Sequence, residues 1–275
     1  MSQRAIHQGR KGAVMAGQRT REIIRAGDGR IDVIAEGDGS LLVMLPSSSR
    51  DSEDFDDVAG MFAAAGLRVL RPQPRGMAAS TGPLDGLTLH DYARDVAAAI
   101  EHQRAGPAVV LGHAFGQWIA RTLATDRPDL VRGVVLAAAA ARSSNPELRA
   151  ALATCVDGRV PEAERRAALR FAFFAPGHEP PANWLSGWHA EAGRSQRAAS
   201  AATPQAEWWT AGTALVLDLQ GAQDPWRPRA TVDDFRRDLG ADRVTVRVIE
   251  NCSHAMFPEQ PEAAVQAVVE WIRRL

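Results

Sequence analysis

A short apolar run, Ala108 to Leu111, meets the pentapeptide Gly112-His113-Ala114-Phe115-Gly116, and a helical stretch from Gln117 to Thr125 follows at once. A buried strand, a sharp turn and a helix in that order form the repeating unit of an open α/β sheet. With serine at its third place, the same pentapeptide forms the elbow that lifts a nucleophile clear of the sheet. Here that place is Ala114, and a methyl group attacks nothing. Such a turn drives its central residue toward positive φ at a cost of about 1–2 kcal/mol. It also brings strand and helix so close that small residues are needed on both sides, which Gly112 and Gly116 supply.

The rest of the chain repeats this alternation. Two β-like segments, Glu22 to Arg25 and Ile31 to Ile34, flank Gly27-Asp28-Gly29 and predict an antiparallel hairpin. Leu41 to Leu45 is a continuous apolar run of the kind found in buried parallel strands. Phe55, Val58, Ala59 and Phe62 share a helical face. A strand from Leu67 to Leu70 ends at Pro72 and the turn Pro74-Arg75-Gly76, and a helix from Leu89 to His102 leads into the pentapeptide. Strand Gly133 to Ala137 closes this half.

From Ala141 to Ala211 the alternation stops. The segment is helical and rich in Ala and Arg, is broken at Ala175-Pro176-Gly177 and Pro180-Pro181, and carries Trp184, Trp188, Trp208 and Trp209. Strands resume at Ala214 to Leu219 and Val244 to Ile249, before a helix from Pro261 to Leu275. The expected fold class is α/β, with a mostly parallel central sheet, flanking helices and a helical cap insertion. The expected organisation is a polar N-terminal arm over 1–19, a core over 20–140 and 212–275, and a cap over 141–211. Functional loops belong at the carboxyl ends of the strands.

A chain of 275 residues, 45% hydrophobic and 24% charged, suits one α/β domain with an insertion. A net charge of −1 argues against a nucleic-acid partner. No apolar run nears the roughly 18–20 residues of a membrane span, and the basic arm has no apolar signal core, so no membrane partner and a cytoplasmic location are expected. Cys155 and Cys252 sit in no metal or redox spacing and are expected as free thiols. With no H-E-x-x-H, cysteine cluster or phosphate loop, neither a metal nor a cofactor is expected. The expected partner is a small-molecule substrate, with homodimerisation left open.

Two later loops complete a constellation. Asp224 lies in Gln220-Gly221-Ala222-Gln223-Asp224-Pro225 and His254 in Asn251-Cys252-Ser253-His254-Ala255, each just beyond a strand. Singly, an Asp before Pro is a turn residue and a lone His a structural one; in the order elbow, Asp, His, they form a candidate triad. On these motifs the chain resembles α/β-hydrolase-fold proteins from Arg21 to Leu275. The matching segments are Pro74-Arg75-Gly76, Gly112 to Gly116, Arg127-Pro128-Asp129-Leu130-Val131, Gly221 to Pro225, and Ser253-His254-Ala255 followed by Glu259-Gln260-Pro261-Glu262.

The resemblance implies that Asp224 and His254 serve as acid and base, that Ala114 stands in the nucleophile's place, and that the amides of Phe115 and Ser48 form the oxyanion hole. It also implies departures. Pro46-Ser47-Ser48-Ser49 replaces the usual His-Gly, Gln73 stands where Asp is common, and Gln117 where a further elbow glycine is common. An alanine at the elbow arises either from deliberate inactivation of a serine enzyme or natively, as in members similar to aminoacrylate hydrolases. The drift of the oxyanion loop favours the native origin.

Magnitudes bound the chemistry. Removing the serine of a triad costs about 10⁶ in rate and leaves about 10³–10⁴ over water. A native alanine enzyme therefore needs a reactive ester, lactone, amide or similar carbonyl compound open to direct attack by water, or a lyase or isomerase reaction that needs only a base. In either case His254 takes a proton, a role worth about 10²–10⁴. The loop serines and Cys252 are weaker nucleophile candidates. Ser47, His113, Trp184 and Trp188 are the expected pocket residues, with the two tryptophans at i, i+4 on one helical face above Ala114; His113 packs against the elbow in many members. A non-catalytic receptor for a small ligand is the remaining class, but it would need neither Asp224 nor His254.

Overall fold

A computed structural model describes residues 18–142 and 145–275, so the N-terminal arm expected over 1–19 falls almost wholly outside the described residues. Among the described residues, eight strands form one sheet: β1 (Thr20–Ala26), β2 (Gly29–Glu36), β3 (Ser40–Leu45), β4 (Leu67–Pro72), β5 (Ala108–His113), β6 (Val131–Ala137), β7 (Leu215–Gly221) and β8 (Val244–Ile249). Their spatial order is β1-β2-β4-β3-β5-β6-β7-β8. β1 and β2 form the antiparallel hairpin, β2 pairs antiparallel with β4, and every pairing from β4 onward is parallel.

The helices are α1 (Asp56–Ala64), α2 (Leu89–Gln103), α3 (Gly116–Asp126), α4 (Pro146–Val156), α5 (Glu162–Ala172), α6 (Ala190–Ala202), α7 (Asp234–Leu239), α8 (Met256–Glu259) and α9 (Pro261–Ile272). Strand periodicity divides the core between the two faces of the sheet. Within β5, Val110 packs with α2 and α3 residues such as Tyr92, Ile100 and Leu123. Its neighbours Val109 and Leu111 pack on the opposite face with Phe62 of α1 and Val265 of α9. Burying such a side chain contributes about 1.5–3 kcal/mol, which is why the parallel strands are apolar on both sides.

The strand order creates the site. From β3 the chain turns to α1 on one face and then to β4; from β5 it turns to α3 on the other face and then to β6. Neighbouring strands whose connections diverge leave a crevice beyond their carboxyl ends. The loop after β3 and the turn that begins at the end of β5 stand at those carboxyl ends. Between β6 and β7 the chain runs through α4, α5 and α6. α4 and α5 enclose an apolar cluster of Leu148, Cys155, Leu169, Phe173 and Trp184, among others. Cys155 and Cys252 are free.

One polar clamp ties the return of this excursion to the sheet helices. His90, in the first turn of α2, bonds Asp126 at the end of α3 through Nδ1 (2.7 Å) and Glu207 through Nε2 (2.9 Å). Partial burial works against the charged ring, but the two carboxylates outweigh it and raise its pKa. A raised folded-state pKa adds stability below the unfolded value near 6.5, and this is lost as pH climbs through the folded value. His90→Gln should therefore lower the melting temperature more at pH 6 than at pH 8.5, by a surface-pair effect of about 0.2–1 kcal/mol. Equal losses at both pH values in thermal melts would show that the ring is neutral in the clamp.

Candidate active site

Every residue from Ala108 to Gln117 is buried except Ala114. Ala114 has φ 47°, the left-handed conformation the elbow demands. Its N–H donates to Ala137 O at 2.9 Å, anchoring the apex to the end of β6. The flanking glycines are steric necessities. A Cβ on Gly112 would stand 2.3 Å from Gln117 N, and one on Gly116 would stand 2.4 Å from Leu45 O and 2.7 Å from Pro46 O. These obstacles are backbone atoms and cannot swing aside. Gly116→Ala should thus cost about 1–3 kcal/mol or more, read as a lower urea midpoint; a variant as stable as the parent would show that α3 does not press on β3 as described.

Beyond β7, Asp224 divides its carboxylate between two donors. Oδ1 accepts the Trp226 N–H at 2.8 Å, and Oδ2 lies 3.0 Å from His254 Nδ1. Both side chains are buried. Beyond β8, the His254 loop passes so close to β7 that a Cβ on Gly221 would stand 2.3 Å from Ser253 O. The buried carboxylate of Glu259 accepts the N–H of Ser253 at 2.7 Å and that of Ala175 at 2.6 Å, holding this loop to the segment after α5. Burial raises the Glu259 pKa, and the two backbone donors oppose that rise.

The imidazole of His254 sits among three rings, His113, Phe173 and Trp226, each with its centroid 5.5 Å away. With Nδ1 donating to Asp224, the lone pair falls on Nε2, which has no hydrogen-bond partner among the described residues. That is the arrangement of a general base.

The two amides expected to face an oxyanion, those of Phe115 and Ser48, donate to no internal acceptor among the described residues. Phe115 immediately precedes α3, so its amide lies at the positive end of an eleven-residue helix. Ser48 is partly exposed, and its hydroxyl is engaged with Gln196 Oε1 at 3.1 Å. Ser47 is likewise partly exposed.

Other expected positions are corrected. His113 does not line a pocket: it is 5% exposed, its ring packs against Phe55 and Phe257, and its Nε2 donates to His254 O at 2.8 Å. Burial, reinforced by the nearby His254, drops its pKa to about 3, so it stays neutral. Trp184 and Trp188 do not share a helical face. Trp184 ends a three-residue turn, Gly187 follows at φ 69°, and no helix resumes before Ala190. The two rings instead pack edge to face, 6.4 Å apart, and the Arg50 guanidinium lies 5.5 and 4.8 Å from their centroids. They are linked to the site through Phe173, whose ring contacts both and also His254.

Cys252 is fully buried, and burial raises its thiol pKa well above the ordinary value, so it is no substitute nucleophile. Trp226 and Phe173, which hold the imidazole, carried no motif. The position of Trp226 two residues after Asp224, where its amide closes an Asx turn, was the available signal.

The alpha/beta hydrolase family model matches residues 42–267. Over 105 residues, 38% of its length, the chain is 32% identical to 2-(acetamidomethylene)succinate hydrolase of Mesorhizobium japonicum; the match spans 37% of that relative, just over a third of its length. The crystal structure of E-2-(acetamidomethylene)succinate hydrolase superposes with a TM-score of 0.75 at 21% identity, covering 93% of this chain and 100% of that one. A putative aryl esterase from Burkholderia cenocepacia gives a TM-score of 0.75 at 21% identity, covering 93% and 98%. At these identities the solved structures establish a shared fold.

Proposed function

The chain belongs to the alpha/beta hydrolase family, and from that premise we propose that it is a cofactor-independent hydrolase of a small, reactive carbonyl compound: an ester, lactone or amide. The reading rests on one observation, the Asp224-oriented His254 whose Nε2 is unpartnered beside an elbow that carries only a methyl group. In this mechanism water held at Nε2 attacks the carbonyl carbon seated over Ala114 and gives its proton to His254, while Asp224 stabilises the imidazolium. The carbonyl oxygen becomes an oxyanion facing the N–H groups of Phe115 and Ser48. As the tetrahedral intermediate collapses, His254 returns the proton to the leaving group.

Oxyanion-hole donors of this kind contribute about 10²–10³ each, and general-base work about 10²–10⁴. Together these suffice for an activated carbonyl and not for a simple ester. The curated relative's name specifies an acetamido compound, in keeping with an amide among the candidate bonds. Ala114 fits a native enzyme, because the adjoining oxyanion loop has also left the usual pattern; the natural gene should encode Ala at codon 114.

Proton abstraction from substrate carbon is the second reading, favoured by the same methyl group, since a base alone suffices for it. Turnover in ¹⁸O-labelled water decides between them. Hydrolysis places solvent oxygen in the acid product, whereas a product free of label would replace hydrolysis by proton abstraction. Ligand binding without any turnover across a panel of activated esters, lactones and amides would make the chain a receptor.

A further inference from the structure

The loop that carries the Ser48 amide has no glycine to shape it, and Ser49 takes φ 63° without one. Its geometry is imposed from α6 instead. Gln196 of α6, 1% exposed, accepts the Ser49 N–H on Oε1 at 2.8 Å and the Ser48 hydroxyl on the same oxygen at 3.1 Å. The His189 N–H, at the start of α6, donates to Ser49 O at 2.9 Å. The helix approaches so closely that a Cβ on Gly193 would stand 1.8 Å from Ser49 Oγ. The neighbouring Ser195 hydroxyl bonds Tyr92 OH at 2.9 Å, fixing α6 to α2 as well.

We propose that Gln196 is a positioning residue that holds the oxyanion loop, so that the Ser48 amide is in place only while α6 is seated. This rests on the hydrolase reading above and extends it. A single amide oxygen bridges both sides of Ser48, the hydroxyl of Ser48 and the N–H of Ser49, and so fixes the peptide between them. With that bridge lost, a loop carrying a left-handed non-glycine residue relaxes, and its free amide leaves the carbonyl oxygen. A helix of the β6–β7 excursion thereby becomes part of the support of the oxyanion hole.

Two readouts on the full chain keep this inference separate from the hydrolase reading. The first is hydrogen exchange of the peptide spanning residues 46–50, which needs no activity. Gln196→Ala should accelerate its exchange about tenfold, and Gln196→Glu, whose carboxylate oxygen accepts both bonds, should return it toward the parent rate. The second is ester hydrolysis in the Ala114→Ser background, measured with nitrophenyl acetate. There Gln196→Ala should lower kcat about 10²-fold, in line with the loss expected for a misplaced oxyanion donor, with KM within twofold. Unchanged exchange in Gln196→Ala, or no recovery in Gln196→Glu, overturns the positioning role whatever the esterase shows. A rise in KM with kcat unchanged overturns it too. An inert Ala114→Ser protein counts against the hydrolase reading alone, and the exchange result then decides the role of Gln196.

Discussion

Ala114→Ser should turn the chain into a serine esterase. The replacement adds one oxygen to a residue already at φ 47°, at the one partly exposed point of an otherwise buried stretch, so the backbone has nothing to rearrange. The proposed mechanism sets the new Oγ between the Phe115 amide and His254 Nε2, the relation that nucleophile and base hold in a triad. Full restoration of a serine triad is worth about 10⁶. A transplanted hydroxyl in a loop that has drifted should recover part of that, with nitrophenol release from nitrophenyl acetate rising about 10²-fold or more over the parent. An initial burst and an acetylated protein by mass spectrometry would mark the acyl-enzyme. An Ala114→Ser protein that folds and remains as slow as the parent would mean that elbow and imidazole are not aligned.

Most of this geometry could be read from the chain. The apolar runs at Leu41, Ala108 and Gly133 became adjacent parallel strands, because segments buried on both faces leave a strand few alternatives. Gly112 and Gly116 announced the close approach of α3 to β5 and β3, since nothing larger fits. Asp224 and His254 were legible through their order and their place after strands.

Three features were not. The i, i+4 spacing of Trp184 and Trp188 implies a shared face only within a helix, and the left-handed Gly187 between them ends any such run. Phe173 and Trp226 reach the imidazole through tertiary packing that no local pattern encodes. Gln196 bonds a residue 147 positions away, from the middle of a helix whose sequence looks like ordinary Ala- and Arg-rich surface. Side chains that act through long-range hydrogen bonds leave no periodicity behind.

Disabling the base should remove turnover while leaving the fold. Asp224→Asn is the sharper test, because the asparagine can keep its carbonyl oxygen on the Trp226 N–H while its amide nitrogen donates toward His254 Nδ1. That donation forces the imidazole proton onto Nε2, and the lone pair that should meet water is gone. In a serine triad the same tautomer reversal costs about 10⁴, and a similar loss is expected here, in native turnover and in the Ala114→Ser esterase alike.

For the histidine, Gln is a better replacement than Ala. His254 is enclosed by Phe173, Trp226 and His113, and truncation to Ala would add a cavity penalty of about 2 kcal/mol or more to any chemical effect. His254→Gln fills most of that space and lacks a base, so turnover should drop by about 10²–10⁴, while the stability change stays within about 1–2 kcal/mol. Urea unfolding and steady-state rates on the same samples separate the two effects. If both variants keep the parent's rate per folded molecule, the pair serves only to fasten the β7 and β8 loops to the Phe173 segment, and the proton must be taken by some other group.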